Sequence, residues 1–464
     1  MNEKRNSFSS SLGFVLAAAG SAVGLGNLWR FPYLAVKDGG GLFLVVYILL
    51  ALTFGFTLLI TEISIGRKTG QSCLTAYGKL HAPSKWIGVF ASIVPFMIMP
   101  YYCIIGGWVL RYCTVFVTGA GNSAAQDGYF TDFITGLWPP ILFDLIFLLG
   151  TAFIIYRGVN KGIEALSKVL MPVLLVMIVG ISVFSLTLHD DSGRTGLQGL
   201  ALYVNPNVKD MTVREVFVTV LDAMGQLFYS ISVAMGIMVT YGSYFKKESN
   251  LVRSVNQIEI FDTLVAFLAG IMILPAVFVF LGPDDMRSQG PGLMFVALPK
   301  VFAAMGPAGN VIGAVFFVMV LFAALTSSMS IMEAVVASLI DRFGWSRRKA
   351  VLIETGLALV LGIFICLGYN VLYFELTLPN GGTAQILDLF DYISNNILMP
   401  VVAIGTCILI GWLVGPSTVI DEATRNGEHF GRRRLYIVMV RFVAPVLLLV
   451  LFLGSLGVFN AVLK

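Results

Sequence analysis

The sequence predicts an all-α polytopic membrane protein of about eleven transmembrane helices, built as one domain over residues 1–464. Composition is the first ground: 57% of the residues are hydrophobic and 12% charged, with a mean hydropathy of +0.88, too apolar for a soluble globule. Span length is the second. Apolar runs of about the 20 residues that cross a bilayer recur near 11–36, 41–66, 86–118, 138–156, 163–188, 214–244, 255–281, 308–340, 350–368, 386–414 and 435–458. Charge placement is the third, because short cytoplasmic loops collect Lys and Arg. Lys4 and Arg5; Arg67, Lys68, Lys79 and Lys85; Arg157, Lys161 and Lys168; Lys246, Lys247 and Arg253; Arg342, Arg347, Arg348 and Lys349; and Arg425, Arg432, Arg433 and Arg434 fall in alternate loops. The N-terminus is therefore expected in the cytoplasm and the C-terminus outside the inner (plasma) membrane. This bias accounts for the net charge of +4, so no nucleic-acid partner is read from it. Five scattered cysteines and three dispersed histidines offer neither a disulfide framework nor a metal cluster.

The first span begins like a secretory signal, with Lys4 and Arg5 before an apolar run. Its continuation through Asn27 and Arg30 into a second span argues against cleavage. Inside it, Gly20-Ser21-Ala22-Val23-Gly24-Leu25-Gly26-Asn27 places three glycines and an amide at membrane depth. Each glycine disfavours helix by roughly 1 kcal/mol relative to alanine, and freed backbone is tolerated in a bilayer only against protein or water. The span is expected to break at its midpoint around something polar. The sixth span carries a second interruption, Gly225 to Gly236, where Ser230 and Ser232 precede Ala-Met-Gly. Two interrupted spans open two successive groups of five, 11–188 and 214–414, the pattern expected of an inverted repeat with a midplane site. The eleventh span, 435–458, lies outside the repeat. Loops near 119–137, 189–213, 282–307 and 369–385 are rich in Gly, Asp, Asn and Pro. The third, with Gly290-Pro291-Gly292 before an apolar stretch, is expected to form a partly helical, re-entrant lid.

Broken helices offer amide N–H groups to a carboxylate and loose carbonyls to small cations, which fits an amino acid together with sodium. Sodium is a hard cation that prefers oxygen ligands. The eighth span offers them at Thr326-Ser327-Ser328, although such hydroxyls also bond back to their own helix. Ionisable residues within spans are costly; here they are Arg30, Glu62, Asp144, Asp222, Asp262, Glu333 and Asp391. Asp144, Asp222 and Glu333 are read as groups near water or at helix ends. Arg30 with Asp391 would form an external ion pair and Arg5 with Asp341 an internal one. Exposed pairs worth about 0–1 kcal/mol suit a gate that breaks every cycle.

These residues resemble the neurotransmitter:sodium symporter family over nearly the whole chain. The likeness is carried by GSAVGLGNLWRFP, by GGG at 39–41, by Tyr101-Tyr102 before GGW, by DAMGQLFYSISVAMG, by GPGLMFVALP and by LTSS. The resemblance implies two sodium sites: one from Ala22, Asn27, Ser230, Asp262 and the substrate carboxylate, the other from Gly20, Val23, Ala323, Thr326 and Ser327. It implies that the substrate carboxylate meets the amides near Leu25 and Gly26 and the Tyr102 hydroxyl. The substrate amine would meet carbonyls of Ala22, Tyr229 and Ser230 and the Ser232 hydroxyl. Side-chain contacts would come from Ile98, Tyr229, Met235, Ser327 and Ile331, with Tyr102 and Tyr229 closing the lid.

Departures from the family pattern sharpen the expectation. Amine-selective members carry an aspartate where this chain has Gly24, so the substrate is expected to bring its own carboxylate. Met235 replaces a phenylalanine of the bacterial leucine transporter, and its flexible side chain adapts to larger ligands. Tyr229 replaces another phenylalanine, adding a hydroxyl. Chloride-dependent members have asparagine at the position of Asp262 and serine at that of Ala266, so here Asp262 alone supplies the balancing charge. The twelfth span is missing, which leaves the oligomeric state open. The expected function is sodium-coupled import of hydrophobic or aromatic L-amino acids by alternating access, independent of chloride and without covalent chemistry. The alternative is a carrier of small or polar amino acids; a substrate-gated channel and a non-transporting receptor are the rivals from other classes.

Overall fold

The computed structural model describes residues 7–206, 211–287 and 290–459. The first span is two helices, α1 (Ser11–Ala22) and α2 (Leu25–Lys37), bent by 55°. There follow α3 (Gly41–Thr69), α4 (Cys73–Leu80), α5 (Ala82–Val117), α6 (Pro139–Tyr156), α7 (Val159–Leu186) and α8 (Gly196–Val204). The second half has α9 (Val213–Ser230), α10 (Ile237–Tyr244), α11 (Leu251–Phe280), α12 (Gly290–Ala304), α13 (Pro307–Phe343) and α14 (Arg347–Leu367). A short hairpin, β1 (Leu376–Thr377) and β2 (Thr383–Ala384), leads to α15 (Ile386–Leu413) and α16 (Arg433–Ser455).

Among the described residues nine single helices are long and apolar enough to cross a bilayer, and the bent pair α1–α2 makes ten. The expected sixth span, 214–244, differs from the rest for a physical reason. Residues 231–236 divide it into an 18-residue half that carries Arg214, Glu215 and Asp222 and an eight-residue half of about 12 Å. Neither half is a crossing helix by itself.

The broken helices sit at the centre. Helix α1 packs between α11 and α13, α10 packs on α3, and the long pair α5 and α13 lie against each other. The α3–α10 crossing is close because it is built on glycine. A Cβ on Gly66 would fall 1.8 Å from the Val239 carbonyl oxygen, and one on Gly242 would fall 2.3 Å from that of Ile63.

The two faces of the bundle differ. On the face with the long loops, the segment expected to form a lid is helical, α12, and packs inward: Leu293, Met294 and Phe295 are fully buried, and the Tyr112 hydroxyl donates to the Phe295 carbonyl at 2.8 Å. The opposite, basic face is tied together by buried contacts. Arg347 grips Glu333 through two hydrogen bonds of 2.7 and 2.8 Å, and the Tyr244 hydroxyl adds a third at 2.7 Å. The Ser9 amide donates to Glu164 at 2.6 Å, and Phe8 packs edge-on against Phe14 and Tyr241.

Candidate substrate and ion site

The first break is short because glycine makes it so. Gly24 takes an extended conformation as N-cap of α2, its amide bound by Asn27 Oδ1 at 3.1 Å. The next amides, of Leu25 and Gly26, have no acceptor within a helix that starts here. Beside them lies the buried Tyr102 hydroxyl, which has no hydrogen-bond partner among the described residues. A Cβ on Gly24 would sit 3.1 Å from Ser327 Oγ and 3.5 Å from Tyr102 Oη. Free donors therefore converge on a spot that a larger residue would fill.

The second break is longer and strained. Ser232 and Ala234 both have positive φ, 54° and 61°, a conformation that costs of order 1–3 kcal/mol per non-glycine residue and persists only where surroundings enforce it. Two groups enforce it here. Glu62 Oε1 accepts from the Ala234 amide at 2.6 Å, and the Ser232 hydroxyl donates to the Ser21 carbonyl at 3.0 Å, tying one break to the other.

Two oxygen-rich clusters flank the breaks. In one, Asn27 Nδ2 donates to Asp262 Oδ1 at 2.9 Å and to Ser230 Oγ at 3.0 Å, and Ser230 donates to the same carboxylate oxygen at 2.8 Å. Tyr47 reaches Asp262 Oδ2 at 3.4 Å, and Asp262 is completely buried. In the other, Ser327 Oγ lies 3.2–3.5 Å from the carbonyl oxygens of Gly20, Ser21 and Val23, across from its own helix. Thr326 Oγ1 bonds back to Ala323 and Phe322 at 3.0 and 3.1 Å.

A cavity of about 690 Å³ joins these groups to the loop-rich face. Ala22, Leu25, Gly26, Tyr102, Tyr229, Ser230, Ser232 and Ser327 line it together with the apolar Ile98, Met235 and Ile331. Arg30 and Asp391 line it too, but they form no ion pair within 4 Å among the described residues. The Arg30 guanidinium instead stands 4.8 Å over the Tyr229 ring, while Asp391 accepts from Asn395 at 2.6 Å. Arg5 lies outside the described residues; Asp341 accepts the Ser72 amide at 2.6 Å.

Sequence reasoning missed several groups. The Tyr229 hydroxyl donates to Asn396 at 2.6 Å, and the adjacent Asn395-Asn396 within an apolar span was the signal for it. Ser21 and Ser330 also line the cavity, 2.6 Å apart. Glu333, read as a group near water or at a helix end, lies inside α13, fully buried and held by Arg347. Asp222 pairs with Lys37 at 2.5 Å, and Asp144, also buried, has no hydrogen-bond partner among the described residues.

The pattern of the Sodium:neurotransmitter symporter family matches residues 5–122 and 140–463. The chain belongs to this family. The uncharacterized sodium-dependent transporter YhdH of Bacillus subtilis is 35% identical over 99% of both chains. A sodium- and chloride-dependent taurine transporter of Rattus norvegicus is 26% identical over 90% of this chain and 73% of its own. Among solved structures, MhsT in complex with L-phenylalanine superposes with a TM-score of 0.85 at 34% identity, over 97% of this chain and all of that one. Family membership thus accounts for the broken-helix architecture and for a chain that works as a transporter.

Proposed function

We propose that this symporter imports hydrophobic or aromatic L-amino acids with sodium, with the basic face cytoplasmic and the loop-rich face external. One observation carries the reading: free amides at the start of α2 and the orphan Tyr102 hydroxyl converge on a cavity that the apolar Ile98, Met235 and Ile331 also line. A carboxylate fits the first, an apolar side chain the second. The complex of MhsT with L-phenylalanine supports the same substrate class.

Sodium would enter at two places. Asp262 with Asn27, Ser230 and the Ala22 carbonyl offers a charged site beside the carboxylate, and Ser327 and Thr326 with the carbonyls of Gly20, Val23 and Ala323 offer a neutral one. A cation shared with the substrate carboxylate raises the affinity of each for the other, the reciprocity that linkage requires. Asp262 supplies the negative charge that a low-dielectric site needs, with Ala266 offering no anion a partner, so transport is chloride-independent. The two five-helix groups, 11–188 and 214–414, would rock about the breaks, with α16 outside them.

The hydroxyls of Ser21, Ser232 and Ser330 favour a second reading, a carrier of small or polar amino acids. Their protons are already engaged, however, with Ser330 donating to the Ser327 carbonyl at 2.7 Å and Ser232 to that of Ser21. Uptake into sealed proteoliposomes with and without a sodium gradient, against a competition panel of amino acids, tests both. Sodium-driven accumulation blocked best by leucine, phenylalanine, tyrosine or tryptophan supports the first reading. Block by glycine or serine alone supports the second, and flux without accumulation supports a channel.

A further inference from the structure

If Tyr229, Arg30 and Asp391 form the outer closure, as the sequence and the family resemblance imply, closing it moves two groups: the Tyr229 ring over the site and Asp391 toward Arg30. In this structure each is held by a neighbouring asparagine on one turn of α15. That turn, Tyr392–Leu398, is a π-helical segment, a form that recurs at functional sites. It faces the cavity with both Asn395 and Asn396. Asn396 Oδ1 accepts the Tyr229 hydroxyl at 2.6 Å, and Asn395 Nδ2 donates to Asp391 at 2.6 Å and to the Tyr101 hydroxyl at 3.2 Å.

The turn is itself anchored by the end of the last helix. Ser455 Oγ donates to the Asn396 carbonyl at 2.9 Å, and the Tyr392 hydroxyl donates to the Ser455 carbonyl at 2.8 Å. Leu451, one turn earlier in α16, lines the same cavity. A helix outside the two five-helix groups therefore buttresses the segment that holds the lid.

We propose that Asn396, braced by Ser455, is a positioning residue that latches the Tyr229 lid in its open setting, with Asn395 holding Asp391 away from Arg30. The inference rests on the reading above that Tyr229, Arg30 and Asp391 form the outer closure. Substrate must exchange the Tyr229–Asn396 bond for contacts of its own before the lid shuts. A hydrogen bond of ordinary net strength, about 1 kcal/mol, moves an open–closed equilibrium roughly fivefold.

The test uses the full-length protein with Leu451→Cys as an external reporter, since all five native cysteines are buried. Thiol labelling of purified protein without sodium or substrate reads the open fraction independently of transport. Tyr229→Phe, which removes one hydroxyl, and Asn396→Ala are each expected to slow labelling and to lower the half-saturating substrate concentration by about fivefold. The double variant is expected to match either single one, because both break the same bond. Ser455→Ala should act in the same direction more weakly, and Asn396→Asp, which keeps the acceptor, should label like the wild type. Additive effects, or unchanged labelling in Tyr229→Phe, would overturn the latch. Loss of all sodium-driven uptake in the unmodified protein would instead overturn the proposed function, while the labelling comparison still decides the latch.

Discussion

The two helix breaks solve the same problem by different means. The first spans two residues, Val23 and Gly24, and its amide side is closed locally by a glycine N-cap and the Asn27 side chain, while Ser327 and Ser232 reach only its carbonyls. The second spans 231–236, holds two non-glycine residues at positive φ, and depends on a buried carboxylate from α3 and a carbonyl of α1. A break that only presents amides can be local. The break that lines the cavity with Ser232 and Met235 is held from elsewhere in the fold.

The largest expected effect comes from filling the first break. In Gly24→Asp the new carboxylate would enter between Ser327 and Tyr102, where the substrate carboxylate is proposed to bind. Two like charges in a water-poor site should cost about 3 kcal/mol or more, a hundredfold or greater loss of amino-acid affinity. Binding measured by scintillation proximity should fail for leucine and phenylalanine. Retention of either would show that the free amides of α2 are not the carboxylate site.

Next is the group that both breaks share. Asn27 comes from the first, Ser230 from the edge of the second, and both donate to Asp262. Asp262→Asn is expected to raise the half-saturating sodium concentration by tenfold or more, a charge-assisted contact being worth about 1.5–3 kcal/mol. Replacing chloride by gluconate should leave wild-type uptake unchanged. Adding Ala266→Ser to Asp262→Asn should restore uptake only in chloride. A chloride requirement in the wild type would refute the charge argument.

Support of the second break ranks third. Glu62→Ala leaves the Ala234 amide without its acceptor, a loss of about 1–3 kcal/mol for a buried donor, whereas Glu62→Gln keeps an oxygen there. Thermal unfolding in detergent should show the alanine variant lowered and the glutamine variant close to wild type, with uptake following the same order. Equal effects of both would mean that the carboxylate acts by charge and not by holding the break.

Sequence made the first break plain and the second only partly so. Three glycines in eight residues at membrane depth have one physical reading. In the second, Ser232 and Ala234 carry no sign of left-handed backbone, and what enforces it, Glu62, lies about 170 residues away along the chain. The gate shows the same divide. Arg30, Asp391 and Tyr229 are conspicuous as a charge, a charge and an extra hydroxyl, but the asparagines that occupy two of them depend on a π-helical turn that periodicity does not reveal. The burial of Glu333 is not legible because its partner Arg347 reads in sequence as one more positive loop residue, and only the packing of α13 on α14 brings the two together.

The smallest expected effect separates two adjacent hydroxyls. Thr326 bonds back to its own helix, the arrangement any helical threonine adopts, while Ser327 reaches across to the carbonyls of the first break. If a cation sits among these oxygens, the back-bonded Thr326 oxygen still presents a lone pair to it, and both side chains contribute. Thr326→Val, which keeps shape and removes the oxygen, should then raise the half-saturating sodium concentration about tenfold, and Thr326→Ser should restore it. Ser327→Ala should do the same and also weaken substrate binding, because Ser327 stands beside the space above Gly24 as well. If Thr326 only satisfies its helix, Thr326→Val will leave the sodium response unchanged while Ser327→Ala alters it. That outcome would confine the neutral cation site to the carbonyls of the first break and the Ser327 hydroxyl.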